Sequence, residues 1–235
     1  MFSMHRFFHL LVAAVLAASA FSSVATDGTS ARQPAAWVDL RRQPPISGDA
    51  RAGQAKSTIC AACHGPQGLA IAPNFPNLAG QSATYLYVQL RTFKGGQRSD
   101  LVMSGQAAAL GDTDMRNLAA YYASLPAKPV GKSQTASRGG RLFLEGDPAR
   151  GIPPCQACHG PTGRGPRGYP SDAPQPPWAT FPRLHGLSAV YVTKELDDFR
   201  SGARSGTSNA RIMHGIAQTL DDADIQTLSD YIATQ

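Results

Sequence analysis

The chain is short of cysteine, of long apolar runs and, in its first half, of acid. Four cysteines occur in 235 residues, all within two strings, Cys60-Ala61-Ala62-Cys63-His64 and Cys155-Gln156-Ala157-Cys158-His159. None is left over, so a cysteine outside these strings is excluded as a metal ligand. The apolar run from Leu10 to Ala20 falls short of the ~20 residues that cross a bilayer, and no later stretch is apolar enough. No segment alternates convincingly with period two, which argues against a sheet. Residues 26–136 hold 6 Asp/Glu against 11 Lys/Arg, whereas residues 137–235 hold 10 of each, within a whole-chain charge of +6.

What is present is a duplicated C-x-x-C-H string, the attachment sequence of covalently bound c-type haem. Two thiols one helical turn apart reach the two vinyl groups on one porphyrin edge, and the histidine that follows sits beneath the iron. A single copy in a cytosolic protein would leave a zinc site, a disulfide or a redox dithiol open. Two copies with no spare cysteine, in an exported chain, favour haem. Cys60, Cys63, Cys155 and Cys158 are therefore the expected attachment points of two haem c groups, with His64 and His159 as axial ligands. Export is read from residues 1–25: Arg6 precedes the apolar run, and cleavage is expected near Ala20 or Ala25. An uncleaved anchor is the alternative, and peripheral association with a membrane is allowed. The expected location is the periplasm.

The chain also repeats itself. Asn74-Phe75-Pro76-Asn77-Leu78-Ala79-Gly80 answers to Thr180-Phe181-Pro182-Arg183-Leu184-His185-Gly186. Tyr85, Leu90 and Phe93 match Tyr191, Leu196 and Phe199, and Met103-Ser104-Gly105 matches Met213-His214-Gly215. Leu110, Asp112, Asp114, Leu118 and Tyr121 match Leu220, Asp222, Asp224, Leu228 and Tyr231. A repeat that preserves motif order means a duplicated domain. Each copy reads as helical. Helices are expected over Ala83 to Lys94, with Ser82 before it and Gly95-Gly96 after, and over Ser188 to Arg200, ending at Gly202. Final helices are expected over Asp112–Ser124 and Asp222–Ala233, with shorter ones from about Asp49 and from Ser137. Asp221 and Asp224 resemble a capping arrangement.

A histidine-ligated iron needs a sixth ligand or an open site. Met103 and Met213 occupy equivalent positions, read as loops before the final helix, and are the expected thioether ligands; core filling is the alternative for any methionine. Met115 falls on a helical periodicity and is expected in the core. His185 reads as a loop residue, and His214 adjoins Met213.

On these strings, together with Leu118-Ala119-Ala120-Tyr121-Tyr122, the chain resembles the cytochrome c4 family, dihaem proteins of two class I cytochrome c domains. The resemblance runs from Gly48 to the C-terminus. It implies an all-α fold of two tandem domains around a pseudo-twofold axis, at 48–126 and 137–235, joined by a linker at 127–136. It also implies that Pro76 and Pro182 offer their carbonyls to the ring nitrogens of His64 and His159. Residues 26–47, with Trp37, Arg41, Arg42, Pro44 and Pro45, precede the family's usual start and are read as a flexible tail, with packing on a domain as the alternative. The loop from Gly163 to Thr180, with Arg164, Arg167, Tyr169 and Trp178, is longer than usual.

The implied function is electron carriage, with no catalytic residues, between respiratory partners such as a quinol–cytochrome c reductase and a terminal oxidase, or as the acceptor subunit of a dehydrogenase. No nucleic-acid partner is expected. The basic first half is read either as a docking face for an acidic redox partner or as an ordinary solvated surface. A dihaem enzyme is the rival: a thiosulfate dehydrogenase would want a cysteine ligand that this chain lacks, and a peroxidase an open iron.

Overall fold

A computed structural model of the chain describes residues 37–41, 43–44, 46–166 and 177–235. The segment read as a signal peptide, and Arg42, Pro45, Arg167 and Tyr169, lie outside the described residues. The first half contains α1 (Ala50–Lys56), α2 (Ala61–His64), α3 (Ala83–Gly95), α4 (Met103–Ala108) and α5 (Asp112–Ser124). The second half repeats the order with α6 (Arg138–Glu145), α7 (Gln156–His159), α8 (Ala189–Ser201), α9 (Ser208–Ala217) and α10 (Asp222–Ile232). Pairing of extended backbone among the described residues is confined to isolated bridges, Val38 with Thr207 and Asp147 with Ile152.

Local chemistry sets the helix limits. The Ser188 hydroxyl accepts from the Tyr191 N–H at 3.1 Å, and Ser82 does the same for Tyr85. At the other ends, Gly96 and Gly202 take φ of 77° and 81°, the left-handed conformation that stops a helix. At α10, Asp221 accepts from the Asp224 N–H at 2.8 Å and the Asp224 carboxylate accepts from the Asp221 N–H at 3.2 Å, a reciprocal capping box.

The first and last helices of each half cross closely, and glycine permits it. A Cβ on Gly53 of α1 would lie 2.0 Å from the Asn117 carbonyl oxygen of α5; one on Gly139 of α6 would lie 2.0 Å from that of Thr227 in α10. Around these crossings sit two cores. One contains Leu86, Tyr87, Val88, Met115, Leu118 and Tyr122, so Met115 is a core residue; the other contains Leu142, Phe143, Ile152, Ile225, Leu228 and Tyr231.

Two expectations need correction. Met103 and Met213 are on helices, not in loops: Met103 opens α4 and Met213 lies within α9. Both helices contain a glycine, Gly105 and Gly215, which stands open on the helix surface with nothing within 4 Å of an added Cβ. The described part of the segment read as a tail is packed. Val38 donates to the Gly206 carbonyl at 3.1 Å and accepts from the Ser208 N–H at 3.0 Å. The Leu40 N–H reaches the Ser208 hydroxyl at 3.0 Å, and the Arg211 guanidinium lies 5.3 Å from the Trp37 ring centroid. Leu40 itself, 3% exposed, belongs to the first half's core. Its apolar side chain gains more from that core than a solvated tail allows.

The halves meet through reciprocal contacts. The Asn77 side chain donates to the Gly186 carbonyl at 2.5 Å, while the matching Arg183 side chain donates to the Gly80 carbonyl. Arg98 reaches the Tyr191 hydroxyl at 3.2 Å, and the matching Arg204 reaches Tyr85 at 3.1 Å. Reciprocity of this kind is the signature of a twofold interface, here within one chain.

Leu40→Ala is expected to cost about 2–4 kcal/mol of stability, read as a lower urea midpoint. An unchanged midpoint would return the segment to a free tail.

Candidate functional site

Each cysteine pair is presented by a one-turn helix. The His64 N–H bonds to the Cys60 carbonyl at 2.9 Å and the His159 N–H to that of Cys155 at 3.0 Å, so each histidine lies one turn beyond its first cysteine. The next residue reverses the chain. Gly65 and Gly160 have φ of 74° and 75°, and a Cβ on Gly65 would meet the Leu69 carbonyl oxygen at 1.9 Å. No other residue type fits there without moving α2.

The two imidazoles have the same surroundings. His64 Nδ1 lies 2.9 Å from the Pro76 carbonyl oxygen, and His159 Nδ1 lies 2.9 Å from that of Pro182. A carbonyl only accepts, so Nδ1 carries the proton and the Nε2 lone pair is directed elsewhere. Phe75 and Phe181 stand beside the rings, at centroid distances of 6.2 and 6.5 Å. Burial lowers the pKa of both histidines, against the opposing pull of the proline carbonyls, so both rings are neutral. This is the state in which imidazole ligates a metal.

The thiols are all unpaired. Burial pushes the Cys155 thiol up to about 11 and raises Cys158; burial also raises Cys60, against a smaller opposing contact from Tyr122. Thiols of raised pKa are poor redox nucleophiles. Among the described residues no group of three or more His, Cys, Asp or Glu is arranged to hold a bare metal ion.

Both strings open onto one continuous cavity of about 1010 Å³. Its wall includes all four cysteines, both histidines, Pro76, Pro182, Met103 and Met213, with Leu78, Phe93, Leu184 and Phe199 among the apolar residues. Met213 also packs against Phe199, Ala210 and Ala217. Thiols, a neutral imidazole with a committed Nδ1, a thioether and apolar walls on one cavity fit a covalently attached porphyrin in each half. His185 and His214 do not line it; their ring nitrogens face the Lys128 carbonyl at 3.1 Å and the Phe199 carbonyl at 2.6 Å. Of the long loop, Trp178 lies half exposed in a 3-10 turn, Pro177–Thr180, and Asn209 donates to the Thr180 hydroxyl at 2.5 Å.

A polar group on the same wall was not expected from the sequence. Arg98 and Arg204 both pair with Glu195, Arg98 at 2.5 Å, with Tyr85, Gln89 and Tyr191 around them. Burial works against the Glu195 charge, but attraction from Arg204 and Arg98 outweighs it and holds the carboxyl at about 2. A signal did exist: Tyr85 and Tyr191, and Arg98 and Arg204, fall at matching repeat positions.

The family model described as cytochrome c matches residues 50–126 and again 136–235. Cytochrome c4 of Pseudomonas aeruginosa is 43% identical over 79% of this chain and 88% of that protein. A thiosulfate dehydrogenase electron acceptor of Stutzerimonas stutzeri is 38% identical over 74% of this chain and 77% of its own length. Among solved structures, reduced recombinant cytochrome c4 from Pseudomonas stutzeri superposes with a TM-score of 0.71 at 40% identity, covering 80% of this chain and 99% of that one.

Gly65→Val forces a side chain into the Leu69 backbone at a left-handed position. It is expected to lower the haem content per chain from two toward one, measured as the alkaline pyridine spectrum against protein mass. Full retention of both haems would show that the reversal after His64 is dispensable.

Proposed function

The chain belongs to the cytochrome c4 family of dihaem electron-transfer proteins, and from this premise we propose a role for each residue of its two sites. It carries two covalently bound haem c groups and passes electrons between redox partners. Bound haem supplies a one-electron couple at each site. In our reading the first half, 48–126, attaches its group through Cys60 and Cys63, with His64 and Met103 as axial ligands. The second half, 137–235, uses Cys155, Cys158, His159 and Met213. Pro76 and Pro182 are positioning residues: by accepting from Nδ1–H they fix the tautomer and turn of each imidazole. The apolar walls exclude water, and filled axial positions favour electron transfer over substrate binding.

The observation that carries this reading is the pairing within each half. A buried histidine with Nδ1 committed at 2.9 Å to a proline carbonyl shares a cavity wall with a methionine, and the two methionines occupy matched repeat positions. Met103→Ala and Met213→Ala are each expected to remove about half of the weak red iron–thioether absorption while both haems stay attached. A full band in both variants would overturn the ligand assignment.

We place the protein in the periplasm, after cleavage near Ala20 or Ala25. Among the described residues no helix is long and apolar enough to cross a membrane. Its proposed partners are a quinol–cytochrome c reductase as donor and a terminal oxidase as acceptor. A second reading, acceptor for a dehydrogenase, is favoured by the similarity to thiosulfate dehydrogenase electron acceptors at 37–38% identity. Co-purification of a catalytic partner separates the two. The first half, with Lys56 and the exposed Ile59, Leu101 and Val102 on its cavity rim, is the proposed docking face for the more acidic partner. Bimolecular transfer rates are expected to fall as salt is added; rates indifferent to salt would remove this docking mode.

A further inference from the structure

The buried polar cluster between the halves breaks the repeat's symmetry at one position. The register that pairs Tyr85 with Tyr191 also pairs Gln89 with Glu195 and Arg98 with Arg204. Arg98 donates to Gln89 Oε1 at 2.7 Å, the Tyr191 hydroxyl at 3.2 Å and Glu195 Oε1 at 2.5 Å. Arg204 donates to Gln89 Oε1 at 2.9 Å, the Tyr85 hydroxyl at 3.1 Å and the other Glu195 oxygen. Gln89 and Glu195 thus stand in equivalent places between the same two guanidinium groups, one neutral and one charged. The Arg98, Glu195 and Arg204 side chains are 12%, 9% and 11% exposed, and all line the cavity shared by both sites. The half-exposed Lys194, with its ammonium 3.9 Å from Glu195 Oε1, is the other charge beside it.

We propose that Glu195 is a residue that makes the two haem sites electrostatically unequal, holding a fixed negative charge in the second half where the first half has Gln89. The inference rests on the haem sites assigned above. The two arginines are related by the repeat and act alike on the two sites. The carboxylate has no counterpart. A fixed negative charge favours the oxidised iron, which carries one more positive charge, and its effect declines with distance. Glu195 therefore lowers the couple of its own half more than that of the other, and it does so without touching either iron.

The test is a spectroelectrochemical titration of the holoprotein, with each couple assigned to its half by the haem-methyl resonances. Glu195→Gln keeps the shape and removes the charge. It is expected to raise both couples, the second half's by more. Gln89→Glu combined with Glu195→Gln keeps the charge balance of the cluster and moves the carboxylate to its mirror position. It is expected to lower the first half's couple, raise the second's, and change their separation by roughly twice as much as the single variant. The double variant preserves the buried charge, so it remains informative if the single variant loosens the interface. Two intact haems with intact thioether bands and an unmoved separation would overturn the proposal. Lost haem or thioether absorption in the unaltered protein would instead overturn the site assignments beneath it.

Discussion

One hydrogen bond organises each half: an imidazole Nδ1 donates to a proline carbonyl at 2.9 Å, buried against the side of a large cavity. The bond fixes the tautomer, the turn of the ring and, with burial, its neutrality. The surrounding chain is arranged to deliver it. A single helical turn carries the histidine, a left-handed glycine turns the chain away, and a Phe-Pro string returns 12 residues later in the first half and 23 in the second. The difference between those spans falls in the sequence between Gly163 and Thr180. A proline suits the acceptor position because its fixed φ holds the turn that aims the carbonyl.

The sequence made the chemistry and the duplication legible and left the packing between elements obscure. The two C-x-x-C-H strings, the matched methionines and the serine and glycine limits of α3 and α8 are local signals. Each depends on side chains within a turn or two of the backbone they act on. The helices that carry Met103 and Met213 were harder to see because a glycine in each weakens the periodic pattern and lowers helix propensity by about 1 kcal/mol relative to alanine. Leu40 was missed for a different reason. One apolar residue in a Pro- and Arg-rich stretch has no periodicity, and its partners lie far along the chain, in the first half's core with α3 and α5 and at Ser208, 168 residues away. The Arg98–Glu195–Arg204 cluster belongs to the same class. Glu195 lies on α8 and the two arginines just past the ends of α3 and α8, and such polar residues read as a solvated face until a second copy of the fold is laid against them.

That interface explains why buried charge is tolerated. Removing ions from water costs several kcal/mol each, and the return depends on geometry. Here each guanidinium is shared between a residue of its own half and a tyrosine of the other, so the cluster is satisfied only when the halves are in register. Asn77 and Arg183 show the same logic with backbone acceptors. They are different residues at one repeat position, and each reaches a glycine carbonyl across the interface. Contacts outlast residue identity because the receiving group is backbone. The constraint is therefore on relative placement of the halves.

A duplicated domain with a reciprocal interface would be expected to have equivalent halves, and this chain departs from equivalence in two ways. One is charge, Glu195 against Gln89 and Arg183 against Asn77. The other is topological: there is one N-terminal segment, so what it binds cannot be mirrored. It pairs with Gly206 and Ser208 at the start of α9, the ten-residue helix that carries Met213, while its Leu40 is anchored in the opposite half. The six-residue α4, which carries Met103, is tied at its start by the Asp100 carboxylate, which accepts from the Val102 and Met103 N–H groups at 2.9 Å. The second methionine is thus positioned by a contact that spans both halves and the first by contacts within its own loop. Inequality between the two centres follows from the connectivity of a single chain, before any difference in the pocket residues themselves is considered.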